Sequence, residues 1–205
     1  MAKKYYCVRV GRNPGIYDNW DDCKKEVDGF NGAEYKGFNN INEANDYMGT
    51  KTVDNRDIDS IMKKHKVEAV AYVDGSYDNL NKSYGYGAVI FHGEITHKIS
   101  GSGNEEGMAM MRNVAGEIES AMKTVDYCIE NKIKSLLIFH DYEGIGKWAD
   151  KKWKTNLRET RNYKEYIAKA REVNKLKIEF KHVKGHSGNK YNEMADKLAR
   201  EALSK

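Results

Sequence analysis

Apolar positions along the chain follow three periods. Leu136-Leu137-Ile138-Phe139 is an unbroken apolar run, the pattern of a strand buried on both faces as in a parallel sheet. "VEAVAYVDGS" (67–76) is a second such run. Each leads straight into a carboxylate, Asp74 in one and Asp141 in the other. "YGYGAVIFHGEITHKISGSG" reads as a hairpin turning at His92-Gly93-Glu94. In "RNVAGEIESAMKTVDYCIEN", Val114, Ile118, Ala121, Met122, Val125 and Ile129 recur at helical spacing. Helical material is expected around "IGKWADKKWK" and "TRNYKEYIAKAREV", then a strand in "KIEFKHV" and a last helix in "NEMADKLAREAL".

The first 49 residues form a different pattern. "KYYCVRV" alternates like a strand, "GRNPG" is a turn and "IY" begins the return strand. Asn19 is placed to cap a short helix, "WDDCKKEV". "AEYKGF" predicts a third strand and "NNINEANDYM" a second helix with Asn40 as its cap. The result is a small ββαβα unit with a thin core, marginal in stability by itself. Residues 50–66 are charged and poorly periodic and read as a linker, part of it helical. The expected organisation is a domain over 1–49, a linker over 50–66 and a larger α/β domain over 67–205.

Composition narrows the class. In 205 residues, 40% hydrophobic content suffices for a core, and 32% charged residues suit a water-facing surface. The 35 Lys and Arg against 31 Asp and Glu give a net charge of +4, which permits an anionic partner without requiring one. A solvated mixed surface explains that charge equally well. Three cysteines with no CxxC pair argue against a disulfide framework or a cysteine zinc site, and favour a reducing compartment. No apolar run is long enough for a membrane span, and "MAKKYYCVRV" is no signal peptide. A soluble, intracellular, cytoplasmic protein with no membrane partner is expected.

The chemistry lies in the acids. If the two apolar strands are parallel neighbours, Asp74 and Asp141 stand side by side at their C-terminal ends, where open α/β sheets place their sites. Glu117 lies beside the apolar stripe of the long helix, and Asp196 flanks Ala195 and Leu198 on the last one. One such acid alone is more often a cap, a surface pair or a turn residue. Four placed this way need cations to relieve their repulsion. Their donors are all oxygen, which suits Mg²⁺ or Mn²⁺ rather than Zn²⁺. Two such ions can activate water and stabilise a leaving oxygen in phosphodiester cleavage.

"YVDGSY", "RNVAGEIES", "IFHDYEGI" and "HVKGHSGNKYNEMADKLAREAL" resemble, in order and spacing, the four motifs of type 1 ribonuclease H across 67–205. The resemblance implies a mixed five-stranded sheet flanked by helices. It also implies two Mg²⁺ ions, with Mn²⁺ as substitute, and cleavage of the RNA strand of RNA–DNA hybrids to leave 3′-hydroxyl and 5′-phosphate ends. By position, Asp74, Glu117, Asp141 and Asp196 would be the metal-binding acids, with Glu193 a supporting acid. His186, between Gly185 and Gly188, matches a histidine that helps proton transfer or product release; a solvated loop histidine is the plain alternative. Asn113, one turn before Glu117, matches an asparagine that contacts the hybrid's minor groove, or it is simply an N-cap. Ser76 joins the substrate contacts through its place in the Asp-Gly-Ser step. The chain departs from the pattern at His140, Tyr142 and Glu143, where threonine and a Ser-Gln pair are common. Instead of a basic helical protrusion it has "KWADKKWK", with Lys147, Lys151 and Lys154 on one helical face, either a phosphate grip or a solvated surface.

The unit before it carries a VRxGRxxGIY turn, a Trp before a Cys helix, and "VDGFxGAxYKxF". It resembles, over 3–49, the hybrid-binding domain that precedes some ribonucleases H and occurs in caulimovirus transactivator proteins. The resemblance implies that Trp20 and Tyr35 form an aromatic platform for the DNA strand's sugars. Tyr6 and Lys36 would address phosphates, and backbone near Gly29 and Gly32 would meet RNA 2′-hydroxyls. Without it, Trp20 and Tyr35 read as core aromatics. Gly37 stands where relatives carry a second lysine, which should remove about one charge from the salt dependence of binding. The expectation is a hybrid-directed endoribonuclease, monomeric because one chain carries both modules, with double-stranded RNA a second ligand for the first. The alternative is a non-catalytic hybrid or double-stranded RNA binder with a degenerate nuclease domain.

Overall fold

The computed structural model of the chain describes residues 4–39, 43–44, 47–48, 56–185 and 189–204. The chain divides into two compact units, Met1–Asp57 and Ile58–Lys205.

The first unit is a three-stranded antiparallel sheet in the order β2-β1-β3, with one helix packed on it. Its elements are β1 (Tyr5–Val10), β2 (Gly15–Tyr17), α1 (Trp20–Val27) and β3 (Glu34–Phe38). Asn19 caps α1, its side chain accepting from the Asp22 amide at 2.9 Å. The core is small: Val8, Cys23 and Val27, edged by Tyr6, Tyr17 and Ala33. The predicted helix over "NNINEANDYM" and its Asn40 cap lie largely outside the described residues. What is described there includes a helical hydrogen bond, Met48 N–H to Ala44 C=O, a buried Ala44 whose carbonyl accepts from Cys7 Sγ, and a Tyr47 ring 5.4 Å from that of Phe38.

The division falls within the first turn of α2 (Arg56–His65), so the C-terminal part of the expected linker is helix. Ile58 is buried, and His65 pairs with Glu179 at 3.5 Å. Five strands follow: β4 (Ala69–Asp78), β5 (Ser83–His92), β6 (Ile95–Gly103), β7 (Ser135–His140) and β8 (Lys177–His182). Their order is β6-β5-β4-β7-β8, antiparallel through β4 and parallel from β4 to β8. The mixed sheet is as expected.

Helices cover both faces. α4 (Asn113–Glu130) and α6 (Arg158–Glu172) bury one face, with Ile118, Val125, Tyr163 and Ile167 packed on Ala71, Val73, Ile90 and Ile138. Truncating a fully buried residue such as Ile138 to Ala should cost about 2–5 kcal/mol. α7 (Lys190–Ala202) lies on the other face, where Tyr191 meets Tyr72 and Phe91 at ring-centroid distances of 5.2 and 4.8 Å. Two short helices complete the unit, α3 (Glu106–Ala109) and α5 (Gly144–Ala149).

Three local expectations are corrected. β4 does not end at Asp74; it stays paired with β5 as far as Asp78↔Ser83, because only its other neighbour, β7, leaves after Tyr72↔Phe139. Lys147, Lys151 and Lys154 do not share a helical face, since α5 stops at Ala149 and Lys151 takes a left-handed φ of 60°. Lys147 instead pairs with Glu143 and sits 4.7 Å from the Trp153 ring centroid. Asn113 is not an N-cap: it is the first residue of α4, and Arg112 precedes it at φ 56° with no side-chain cap bond.

Candidate active site

The parallel pairing of β4 with β7 sets Tyr72 opposite Phe139, an offset of 67 residues (139 − 72). Two rungs further, the same offset makes Asp74 level with Asp141. The pairing has ended by then, so no ladder bond joins the two residues. This is the carboxyl end of the sheet, as expected.

Two helices bring the other acids in. A Cβ on Gly75 would collide with the Asn113 carbonyl and stand 2.5 Å from the Glu117 amide, so α4 reaches the strand only because residue 75 has no side chain. Gly87, opposite Asp74 on β5, does the same for α7, where a Cβ would strike the Ala195 carbonyl. Glycine on the sheet is thus what lets Glu117 and Asp196 approach Asp74.

The acids are buried to different degrees. Glu117 is 2% exposed and Asp74 9%; Asp196 and Asp141 are half-buried. Glu117 Oε1 accepts from the amides of Asp141 and Tyr142 at 3.0 and 3.2 Å, tying α4 to the turn after β7. Asp74 Oδ1 accepts from the Gly75 amide at 2.8 Å, and Oδ2 from Asn192 Nδ2 at 3.2 Å. Asp196 pairs with Arg200 at 2.7 Å. Burial, then the Asp141 charge, then Asp196, pushes Asp74 up to about 7. Burial, with the charges of Asp141 and Asp74, drives Glu117 well above the ordinary carboxylate range. Asp74 and Glu117 are therefore both pushed toward their neutral forms, by burial first and by the neighbouring acidic charges second.

These residues fit divalent cations by donor chemistry. All four are oxygen donors, and the charge of Asp141 raises both Asp74 and Glu117, the kind of repulsion a hard cation removes. Among the described residues, no three acid, histidine or cysteine side chains already stand in coordinating geometry. Asn192 and Arg200 hold two of the acids in hydrogen bonds and an ion pair instead.

The other expected residues divide. Ser76 lies on β4, half-buried, two residues beyond Asp74. Asn113 is exposed at the start of α4, one turn before Glu117. Glu193 is exposed in the first turn of α7; the buried amide there is that of its neighbour Asn192. His186 lies outside the described residues. Gly185 is described, and a Cβ on it would stand 2.6 Å from Asp141 Oδ2, so that loop starts against the cluster.

Asn192 and Arg200 were missed from sequence. The available signal was spacing: Asn192, Asp196 and Arg200 recur every four residues along one face of α7. His140 was noticed only as a departure. It is 2% exposed, and burial lowers its pKa from 6.5 to about 4. Its folded value lies below the unfolded one, so its contribution to stability is present above pH 6.5 and lost as pH falls to about 4, by about 3 kcal/mol. His140→Asn, which keeps a donor but cannot titrate, should show a shallower loss of stability across pH 6.5–4 in denaturant melts; an unchanged slope would refute the assignment.

In the first unit, Tyr6, Trp20 and Tyr35 form a row of rings, with Trp20 5.6 Å from Tyr6 and 5.7 Å from Tyr35. Trp20 is 39% exposed and Tyr35 48%. Neither is a core residue, which removes the plain alternative. Lys36 is exposed next to Tyr35 on β3, but strand alternation turns it to the other face of the sheet, with Nζ 5.3 Å from the Phe38 ring.

Comparison with known proteins supplies the remaining observation. Residues 65–204 match the family described as RNase H, and residues 4–48 match the family described as ribonuclease H1 N-terminal domain. A ribonuclease H of Saccharomyces cerevisiae is 49% identical over 24% of this chain; the match spans 15% of the yeast protein's length. Ribonuclease H1 of Homo sapiens is 25% identical, covering 96% of this chain and 88% of the human one. Among solved structures, LC11-RNase H1 in complex with RNA/DNA hybrid is similar with a TM-score of 0.53 at 18% identity, over 66% of this chain and 99% of that one. At that identity the likeness speaks for the fold.

Proposed function

The chain belongs to the ribonuclease H family, and on that premise we propose that it is an endoribonuclease that hydrolyses the RNA strand of RNA–DNA hybrids. The observation that carries the proposal is the convergence of Asp74, Glu117, Asp141 and Asp196 from two strands and two helices into one field of mutual repulsion. Such a cluster costs stability and serves no binding role, so a purely hybrid-binding protein has no use for it.

In this reading the four acids would hold two Mg²⁺ ions, with Mn²⁺ as substitute. Bound there, the ions supply an activated water and charge stabilisation of the leaving oxygen. The chain's own residues do the rest. Glu117 fixes the turn that presents Asp141, and Asn192 fixes Asp74. Asn113 and Ser76 lie near the cluster to meet the hybrid's minor groove, where 2′-hydroxyls mark the RNA strand. His186 is assigned by its motif to proton transfer or product release, and Glu193 to support at the cluster's edge.

The first unit would capture the duplex. Its exposed row of Tyr6, Trp20 and Tyr35 offers rings for nucleic-acid sugars and bases, and Lys36, the next residue along β3, would reach a phosphate from the strand's other face. Tethering capture to cleavage raises the local substrate concentration and favours repeated cuts. Trp20→Ala is expected to weaken hybrid affinity by roughly ten- to a hundredfold, the loss of one aromatic contact, as read by fluorescence anisotropy. Affinity equal to wild type would remove Trp20 from the platform.

The proposal is tested by the product ends. Labelled RNA annealed to DNA and cut by the protein in Mg²⁺ should leave 3′-hydroxyl ends that a polymerase extends and 5′-phosphates. Cyclic-phosphate ends would contradict the mechanism, and a hybrid bound but never cut would leave a non-catalytic binder.

A further inference from the structure

The turn after β7 carries Asp141, and its backbone is held from two sides. The amides of Asp141 and Tyr142 both donate to Glu117 Oε1. The carbonyls of the same two residues accept from two imidazoles. His182 Nε2 donates to the Asp141 carbonyl at 2.8 Å, and His140 Nδ1 donates to the Tyr142 carbonyl at 3.0 Å. All four backbone polar groups of Asp141 and Tyr142 are therefore engaged.

The arrangement is built into the packing. His140 and His182 face each other on the last rung of the β7–β8 ladder, with ring centroids 6.0 Å apart. The Phe180 ring meets His140 edge-on, also at 6.0 Å. A Cβ at position 146 would stand 2.9 Å from His140 Nε2, so glycine there makes room for the ring. The ladder ends at this rung, so nothing in the sheet itself fixes the two residues beyond it. The two imidazoles and the Glu117 carboxylate do so instead, together with the Ile145 N–H, which also donates to the Tyr142 carbonyl at 3.1 Å.

We propose that His140 and His182 are positioning residues for the divalent-cation site: they clamp the Asp141–Tyr142 turn by its carbonyls, so that the Asp141 carboxylate is presented already aimed. The inference rests on the two-metal reading above. Neither imidazole need touch a cation; each acts through the backbone that carries a ligand, as groups outside a coordination shell commonly do.

The test uses the full chain without substrate, so that it reads cation binding and not turnover. His182 is exposed, which makes it the safer of the two to change. His182→Leu removes the donor and keeps bulk; His182→Gln returns an N–H at similar reach. Mn²⁺ binding is followed by titration calorimetry, beside thermal melts in EDTA. The leucine variant should bind Mn²⁺ roughly ten- to a hundredfold more weakly, with a melting temperature close to wild type, and glutamine should restore the affinity. The proposal is overturned if the leucine variant binds Mn²⁺ like wild type. It is equally overturned if leucine and glutamine lose affinity alike, or if the loss merely follows a lowered melting temperature. A wild-type chain that takes up no Mn²⁺ defeats the two-metal reading itself, a result distinct from all three.

Discussion

Asp141→Asn is expected to lower hybrid cleavage by at least about a thousandfold while leaving hybrid binding intact. The amide keeps the shape of the carboxylate but not its charge, and a hard cation discriminates between them. A metal centre supplies several kcal/mol of charge stabilisation to phosphodiester cleavage. Each 1.4 kcal/mol or so is tenfold in rate, so losing one charged ligand reaches the thousandfold range. The fold should survive, because Glu117 accepts from the amides of the 141–142 turn and not from the Asp141 side chain. The aromatic row that would hold the hybrid belongs to the other unit. Single-turnover cleavage and anisotropy on the same preparation check the two halves. A variant that cleaves at the wild-type rate in Mg²⁺ would remove Asp141 from the cation site.

The second large effect has the opposite sign. Asp74→Asn should stabilise the protein in EDTA at pH 8, even though it removes a site residue. Burial and the neighbouring charges of Asp141 and Asp196 raise Asp74 to about 7, above its unfolded value. A group with a raised folded pKa contributes stability that is present below the unfolded pKa and lost as pH rises through the folded one. At pH 8 the ionised Asp74 therefore costs up to about 4 kcal/mol, which the amide avoids. The new side chain keeps one partner, Oδ1 accepting from the Gly75 amide; its Nδ2 would face Asn192 Nδ2, so the Asn192 amide must flip to accept through Oδ1, the atom that is buried without a partner among the described residues. A gain of roughly 2–4 kcal/mol should raise the melting temperature by roughly 5–15 °C. The gap should close as pH falls toward 4, where the wild-type carboxyl is itself neutral, and Mg²⁺ should stabilise wild type but not the variant. A variant less stable than wild type at pH 8 in EDTA would show that the cluster's repulsion is not what burial and charge imply.

The sequence made the acids legible because each sits next to a strong local signal. Asp141 follows the most apolar strand, and Glu117 and Asp196 flank helical stripes whose period is plain. What it could not show depends on partners distant in the chain. That β4 runs past Asp74 follows from β5 staying paired after β7 departs, a property of two neighbours and not of "YVDGSY" itself. The His140–His182 clamp requires the β7–β8 register, which two short apolar runs leave open. Asn192 was hidden behind Glu193, the acid beside it, because only helix phase decides which of the two faces Asp74. "KWADKKWK" misled for a local reason: its lysines have helical spacing, but the helix stops at Ala149 and Lys151 turns left-handed.

The most direct test of the account compares one labelled RNA–DNA hybrid with RNA–RNA and DNA–DNA duplexes of the same sequence, each with the purified chain in Mg²⁺ or in EDTA. Cleavage confined to the RNA strand of the hybrid, and abolished by EDTA, is the predicted result. Cleavage that persists in EDTA, or that consumes RNA–RNA duplex as readily, would contradict it.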